Sequence, residues 1–285
     1  MGLRSVDPLW YHRRVMDSDL QPCDPARADR MAFFLLKAVN RAIREHRLLG
    51  DGERVMVAVS GGKDSLTLLD LLYRRQRTAR DKTALAAGLV RSDYHCGRAA
   101  PEEWLARWCA AREIPFAAAD ISVLAELHVA GTNACFRCSR LRRKALLGLA
   151  QDLGCQTVAL GHHADDLAET VLMNLVYSAT FQGMEMRREY FGLMTVIRPL
   201  AYVEERDIAA FARASGYPIR GEPCPAGAAG KRSVARGLLR QAESHCHGAR
   251  RNILAALARA NLAPAGASAD VEEARENARR GEEQA

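Results

Sequence analysis

The spacing of apolar residues changes along the chain, and each change marks an element. Met31, Phe34, Leu35, Ala38, Val39, Ala42 and Ile43 recur at steps of three and four, with arginines filling much of the other side. This spacing predicts an amphipathic helix over 27–47 packed beside the core. Gly50-Asp51-Gly52 closes that helix, and the uninterrupted apolar run Val55-Met56-Val57-Ala58-Val59 reads as a strand buried on both faces. Strand-like and helix-like stretches then alternate. Strands are expected over 84–90, 116–121, 157–160 and 196–200, and helices over 104–112, 135–153, 167–177 and 204–215. Such alternation predicts an α/β fold, a parallel sheet covered on both faces with ligands at the carboxyl ends of the strands. The chain divides into an irregular arm (1–26), a core domain with its preceding helix (27–220), a proline- and glycine-rich loop with a basic helical extension (221–262) and a tail (263–285). The tail's Ala, Gly and Glu content predicts disorder.

The first chemically informative stretch is Ser60-Gly61-Gly62-Lys63-Asp64-Ser65, between the first strand and the leucine-rich helix start Leu66, Leu68, Leu69. Paired glycines let the backbone approach an anion, and the N–H groups and positive dipole end of the new helix face the same point. Ser60, Ser65 and Lys63 add donors, so the stretch reads as a cradle for a polyphosphate. A Walker A loop needs a glycine five residues before the Gly-Lys pair and Ser or Thr after it. Val57 and Asp64 stand there instead.

A second motif, Gly161-His162-His163-Ala164-Asp165-Asp166, follows the fourth predicted strand and lies at the same sheet edge. Its carboxylates can hold a magnesium ion against nucleotide phosphates or, more plainly, cap the helix they open. Cys135-Phe136-Arg137-Cys138 places two thiols one helical step apart near a positive helix end, which suits a metal-ligand pair or a redox couple. A structural zinc commonly takes two such pairs, and the sequence holds no second Cys-x-x-Cys. Cys224, between Pro223 and Pro225, adds a third thiol. Three thiolates can hold an iron–sulfur cluster with one iron open, whereas a thiol pair without metal is the alternative. Cys109 and Cys155 sit in apolar contexts and are expected in the core, and Cys96 lies in a loop at the functional edge.

Composition changes this picture only modestly. With 285 residues, 48% hydrophobic, the chain can bury a full core. A formal net charge of +7 suggests an anionic partner such as nucleic acid. No apolar stretch suits a signal peptide or a bilayer span, so a cytoplasmic protein without a membrane partner is expected, its eight cysteines serving as thiols or metal ligands.

Taken together, Glu53 to Val57, Ser60 to Ser65, Cys135 to Arg143, Gly161 to Asp166 and Ile197-Arg198-Pro199-Leu200-Ala201-Tyr202-Val203 resemble the tRNA 2-thiocytidine synthetases of the PP-loop ATP pyrophosphatase superfamily. The resemblance implies an adenine nucleotide alpha-hydrolase-like (Rossmann-like) fold with an N-terminal helix and a C-terminal helical extension. It also implies ATP, Mg2+ and a 4Fe-4S cluster as cofactors. The expected reaction adenylates the C2 carbonyl of an anticodon-loop cytidine, cytidine-32, and replaces its oxygen with sulfur. By the same resemblance, Ser60, Gly61, Gly62, Lys63, Asp64 and Ser65 bind pyrophosphate, Gly161, His162, Asp165 and Asp166 lie on the nucleotide side, and Lys63, Asp64 and Asp166 serve catalysis. Cys135, Cys138 and Cys224 are the cluster ligands. The implied partners are tRNA and a cysteine desulfurase or other sulfur donor, with a homodimer as the assembly. Family members often carry Pro-Cys-x-x-Cys-Gly near the third ligand; here Gly227 stands at the second cysteine. A 2-thiouridine synthetase of the same superfamily and a non-catalytic ATP or iron–sulfur sensor are the competing readings.

Overall fold

The structure, a computed structural model, describes residues 23–93, 99–124, 134–190, 192–220 and 230–262, without the side chains of 134, 135, 261 and 262. Most of the arm, the loop around Cys96, the loop bearing Cys224 and the tail therefore lie outside the described residues.

In chain order the elements are α1 (Pro25–Glu45), β1 (Arg54–Ala58), α2 (Lys63–Gln76), β2 (Ala84–Ser92), α3 (Glu102–Ala110), β3 (Phe116–Ile121), α4 (Ala134–Asp152), β4 (Thr157–Ala159), α5 (Ala164–Ser178), β5 (Arg187–Tyr190), β6 (Met194–Ile197), α6 (Glu205–Ala214), α7 (Lys231–His245) and α8 (Ala249–Leu262). α1 starts as its sequence dictates, with Pro25 in its first turn and the Asp24 carboxylate accepting the Arg27 N–H at 2.9 Å.

The strands form one sheet in the order β3-β2-β1-β4-β6-β5. Every neighbouring pair is parallel except β5 with β6, an antiparallel hairpin that matches Arg187 with Ile197 and Tyr190 with Met194. An all-parallel, five-stranded sheet was expected, so β5 is a correction. Its Arg-Arg-Glu-Tyr sequence is largely solvent-exposed at the sheet edge and carries no apolar alternation. The strand expected over 196–200 ends at Ile197, because Pro199 lacks the N–H a ladder needs and the chain turns, with Ala201 N–H on the Arg198 carbonyl at 3.2 Å.

Side chains alternate between two cores, as the strand period requires. Val55 and Val57 of β1, Leu85 and Ala87 of β2 and Ile197 of β6 face α1, α2, α3 and α6, whose Val39, Leu68, Leu105 and Phe211 complete that layer. Met56, Ala86, Val158 and Val196 face the other way, onto Leu149 and Ala150 of α4. Cys109 and Cys155 are buried as expected, and burial pushes the Cys109 thiol up to about 12.

The described residues divide into two compact units, one within Met1–Asp166 and Glu185–Ser233, the other within Leu167–Met184 and Val234–Ala285. The sheet and both nucleotide-type motifs belong to the first. In the second, the buried Glu169 carboxylate accepts the Arg236 Nε–H at 2.7 Å. Arg236 keeps part of its side chain in solvent while it holds this carboxylate.

Gly88 is glycine because Met56 occupies its side-chain space: a Cβ there would lie 2.5 Å from Met56 Sδ. Met56→Ala is expected to cost about 2–5 kcal/mol through its cavity and Gly88→Ala about 1–3 kcal/mol through overpacking. The double variant should lose at least about 1 kcal/mol less than their sum in urea unfolding, since the new methyl enters the vacated space. Strict additivity would contradict this packing.

Candidate active site

Strand order places the site. β1 and β4 are neighbours, and the chain proceeds from β1 toward β3 on one side and from β4 toward β5 on the other, so the sheet reverses direction between them. Ligands of open α/β sheets bind at the carboxyl ends of such a pair. A cavity of about 330 Å³ lies there, at the ends of β1, β2 and β4.

One wall is the loop from β1 into α2. Gly61 adopts φ +77°, and a Cβ on it would lie 2.8 Å from that of Ala99, so only glycine makes this turn. Ser65 Oγ donates to the Gly62 carbonyl (3.0 Å) and accepts the Ser60 N–H (3.1 Å), which ties the loop to the start of α2. Gly62 is the N-cap of α2 and provides no side-chain cap, leaving first-turn N–H groups as donors at the mouth. Lys63 Nζ lies 2.8 Å from Asp64 Oδ1 and 3.0 Å from Glu205 Oε1. Burial opposes its charge most strongly, yet the two carboxylates together raise its pKa, so it stays cationic.

The opposite wall is the loop after β4. Gly161 packs directly on the start of α2: a Cβ there would lie 3.0 Å from Ser65 N and 3.1 Å from the Asp64 carbonyl carbon. This contact brings together the two motifs identified in the sequence. Ser60, Asp64, Ser65, Gly161, His162 and Asp166 all line the cavity, alongside the apolar Val59, Val90, Leu146 and Leu160. Burial lowers the His162 pKa to about 4, with Asp166 opposing and Arg198 and Arg232 reinforcing the shift, so the ring is neutral near pH 7. Among the described residues its Nδ1 has no hydrogen-bond partner. His163 is held between three carboxylates, with Nε2 3.3 Å from Asp166 and 3.7 Å from Asp64, and Nδ1 3.5 Å from Asp165. Burial is the largest influence and lowers its pKa, but the carboxylates outweigh it and the net shift is upward.

Asp165, expected on the nucleotide side, turns the other way. Its Oδ2 accepts the Glu205 N–H at 2.7 Å and so supplies the cap that Glu204, the N-cap of α6, does not. Glu205 and Arg142 are the functional residues that sequence reasoning missed. Glu205 stood only within the helix expected over 204–215, and Arg142, on the cavity wall, only within the string Cys135 to Arg143. Arg232 Nη1 lies 3.6 Å from Asp166 Oδ1.

Cys135 and Cys138 fall in the first turns of α4, and Cys138 is half-buried and not in a disulfide. Cys135, Cys138, Arg142 and Leu146 follow the three- and four-residue spacing of one helix stripe, whose lower half walls the cavity. Cys138 is about 6 Å along the axis from Arg142. Among the described residues no group of three or more His, Cys, Asp or Glu is arranged to hold a metal ion. Cys224, the third expected thiol, lies outside them. Magnesium on a nucleotide needs only one or two protein carboxylates beside the phosphates, and Asp64 and Asp166 meet that requirement.

The mostly parallel sheet with a glycine-rich anion loop at its switch point is a nucleotide-binding architecture, and residues 35–241 match the PP-loop domain family, to which this chain belongs. More particularly, it is 43% identical over 195 residues to a tRNA-cytidine(32) 2-sulfurtransferase of Anaeromyxobacter sp. (strain Fw109-5), covering 67% of this chain and 62% of that one. It is 40% identical over 228 residues to the protein of the same description from Geobacter sulfurreducens, covering 77% and 87%. The chain thus spans under two thirds of the first relative and most of the second. Among solved structures it is similar in fold to the U34-tRNA thiolase NcsA of Methanococcus maripaludis, with a TM-score of 0.65, 21% identity and coverage of 81% and 80%.

Replacing Gly161 by Ala should drive a methyl into backbone that cannot yield. ATP affinity, measured by calorimetry on the full chain, is expected to fall about tenfold or more while cooperative thermal unfolding persists. Unchanged affinity would separate the two loops functionally.

Proposed function

We propose that this protein is an ATP-dependent tRNA sulfurtransferase that converts an anticodon-loop cytidine, cytidine-32, to 2-thiocytidine. The observation that carries the reading is that Cys138 of α4 lies roughly one and two helical turns before Arg142 and Leu146, two residues of the nucleotide cavity wall, with Cys135 at the matching sequence spacing. A thiol pair one to two helical turns along α4 from the cavity wall suits a reaction that activates a carbon at one place and supplies sulfur at the next. The relatives' descriptions support cytidine as the base and tRNA as the partner.

A base carbonyl oxygen leaves poorly until it is phosphorylated. In this reading the cytidine C2 oxygen bonds to the α-phosphorus of ATP as the bond to the β-phosphate oxygen breaks, and pyrophosphate carries away that electron pair. A sulfur nucleophile then adds at C2, and AMP departs with the former carbonyl oxygen. The first-turn N–H groups of α2, with Ser60 and Ser65, hold the departing pyrophosphate. Lys63 balances its charge while tethered to Asp64 and Glu205. Val59, Val90, Leu146 and Leu160 give the adenine an apolar, water-poor seat. His162, neutral with an unpartnered Nδ1, is suited to orient the nucleotide or the incoming base.

Magnesium on Asp64 and Asp166 supplies phosphate neutralisation when bound. A 4Fe-4S cluster on the thiolates of Cys135, Cys138 and Cys224 supplies sulfur in nucleophilic form when bound. The resemblance adds a sulfur donor such as a cysteine desulfurase, a homodimeric assembly and a cytoplasmic setting. Among the described residues no helix is long and apolar enough to cross a membrane.

Nucleoside mass spectrometry of total tRNA tests the reading. Deleting the gene should remove 2-thiocytidine. A plasmid copy and its Cys155→Ala variant should restore it, whereas Cys138→Ala should not. Loss of a 2-thiouridine instead would assign the uridine branch, and an unchanged set of thiolated nucleosides would favour the sensor reading.

A further inference from the structure

A second basin, of about 370 Å³, lies at the other end of α2 and is lined by Asp70, Tyr73, Arg74, Arg77, Ala111 and Arg112. It shares no lining residue with the nucleotide cavity. Three guanidinium groups face it against one carboxylate, and that carboxylate is already occupied: Asp70 accepts the Tyr217 hydroxyl at 2.9 Å and the Arg74 Nε–H at 2.9 Å. Arg74 is also bonded to Asp29 at 2.6 Å. The other two arginines have no carboxylate within ion-pair distance among the described residues. Arg112 stacks 3.8 Å over the Trp108 ring and donates to the Trp108 carbonyl at 3.1 Å. Arg77 lies 5.8 Å over Tyr73 and donates to its hydroxyl at 3.5 Å. Ring faces orient two guanidinium forks without neutralising them, so the basin keeps its positive charge.

From this we infer that the basin of Arg74, Arg77 and Arg112 is a binding site for backbone phosphates of RNA, an inference that rests on the tRNA reading proposed above. The choice among phosphate ligands follows from the helices. α2 ends at its C-cap Arg77 and α3 at its C-cap Ala111, so two helix C-termini converge on the basin. Their negative dipole ends oppose a compact, multiply charged polyphosphate, which helix N-termini and backbone N–H nests receive better. Singly charged phosphodiesters between planar forks are tolerated, and the exposed Arg77 leaves the basin open to a long polymer. Arg74 is about 16 Å along α2 from Lys63, roughly five base steps of a nucleic-acid helix. The plainer account is that these arginines only complement helix C-termini and pack on rings.

The two accounts differ in salt dependence. Binding of unmodified tRNA transcript to the full chain would be followed by fluorescence anisotropy from about 50 to 200 mM salt, for wild type, Arg77→Gln and the Arg77→Gln/Arg112→Gln double variant. We expect the double variant to bind about tenfold more weakly and the slope of log affinity against log salt to fall by about one to two, with ATP affinity unchanged. The exposed Arg77→Gln alone should lower the slope by about one, which keeps the test valid if the double variant is unstable. Lower melting temperature with unaltered tRNA affinity and slope would overturn the inference and leave the thiolation reading standing. Unaltered tRNA binding with lost retention of inorganic pyrophosphate would also overturn it, assigning the basin to a free polyphosphate. Wild-type protein that does not bind tRNA would reject both readings.

Discussion

The structure depends on how closely two backbones approach at the switch point of the sheet. β1 and β4 lie side by side, so the loops that leave them are neighbours, but neighbouring loops need not form one site. Gly161 makes them one, because its missing side chain lets the second loop rest on the Asp64–Ser65 peptide. The acids then fall into place. Asp64 comes from one loop, Asp165 and Asp166 from the other, and all three approach the buried His163 ring. Burial lowers the His163 pKa, but these carboxylates outweigh it and raise it overall, and a proton on this ring would offset their mutual repulsion.

The segment from Arg198 to Glu205 carries this arrangement outward. Its Val203 carbonyl accepts the Ala164 N–H at 2.9 Å, Glu205 N–H reaches Asp165, and the Glu205 carboxylate reaches Lys63. At the other end Tyr202 donates to Glu45 at 2.8 Å and lies 2.7 Å from His46 Nε2. Burial, with the Glu45 carboxylate, pushes the Tyr202 hydroxyl up to about 12, so it stays a donor. The C-terminal end of α1 is thereby tied to both nucleotide loops through one short strap. Arg198, buried and bonded to the Glu185 carbonyl, anchors the strap where it leaves β6.

Much of this was legible because the residues concerned obey local rules. The change from three-and-four spacing to an unbroken apolar run located α1 and β1, and the loops after β1 and β4 announced themselves through glycines, hydroxyls and acids. Long-range partnerships were not legible. Nothing in the sequence near Glu205 names Lys63 as its partner, and Asp165 and Asp166 are chemically equivalent until the fold turns one toward α6 and the other toward the cavity. β5 escaped because an exposed edge strand needs no apolar face. The charge of the second basin was hidden too, since its arginines are separated in sequence and only the pairing of α2 with α3 assembles them.

The central claim is that the joined loops present the α-phosphate of ATP, not the γ-phosphate, to an attacking oxygen. Product analysis with ATP labelled at the α-phosphate, in the presence and absence of tRNA, tests it most directly. The account predicts tRNA-dependent AMP with equimolar pyrophosphate; labelled ADP accompanied by inorganic phosphate would contradict it.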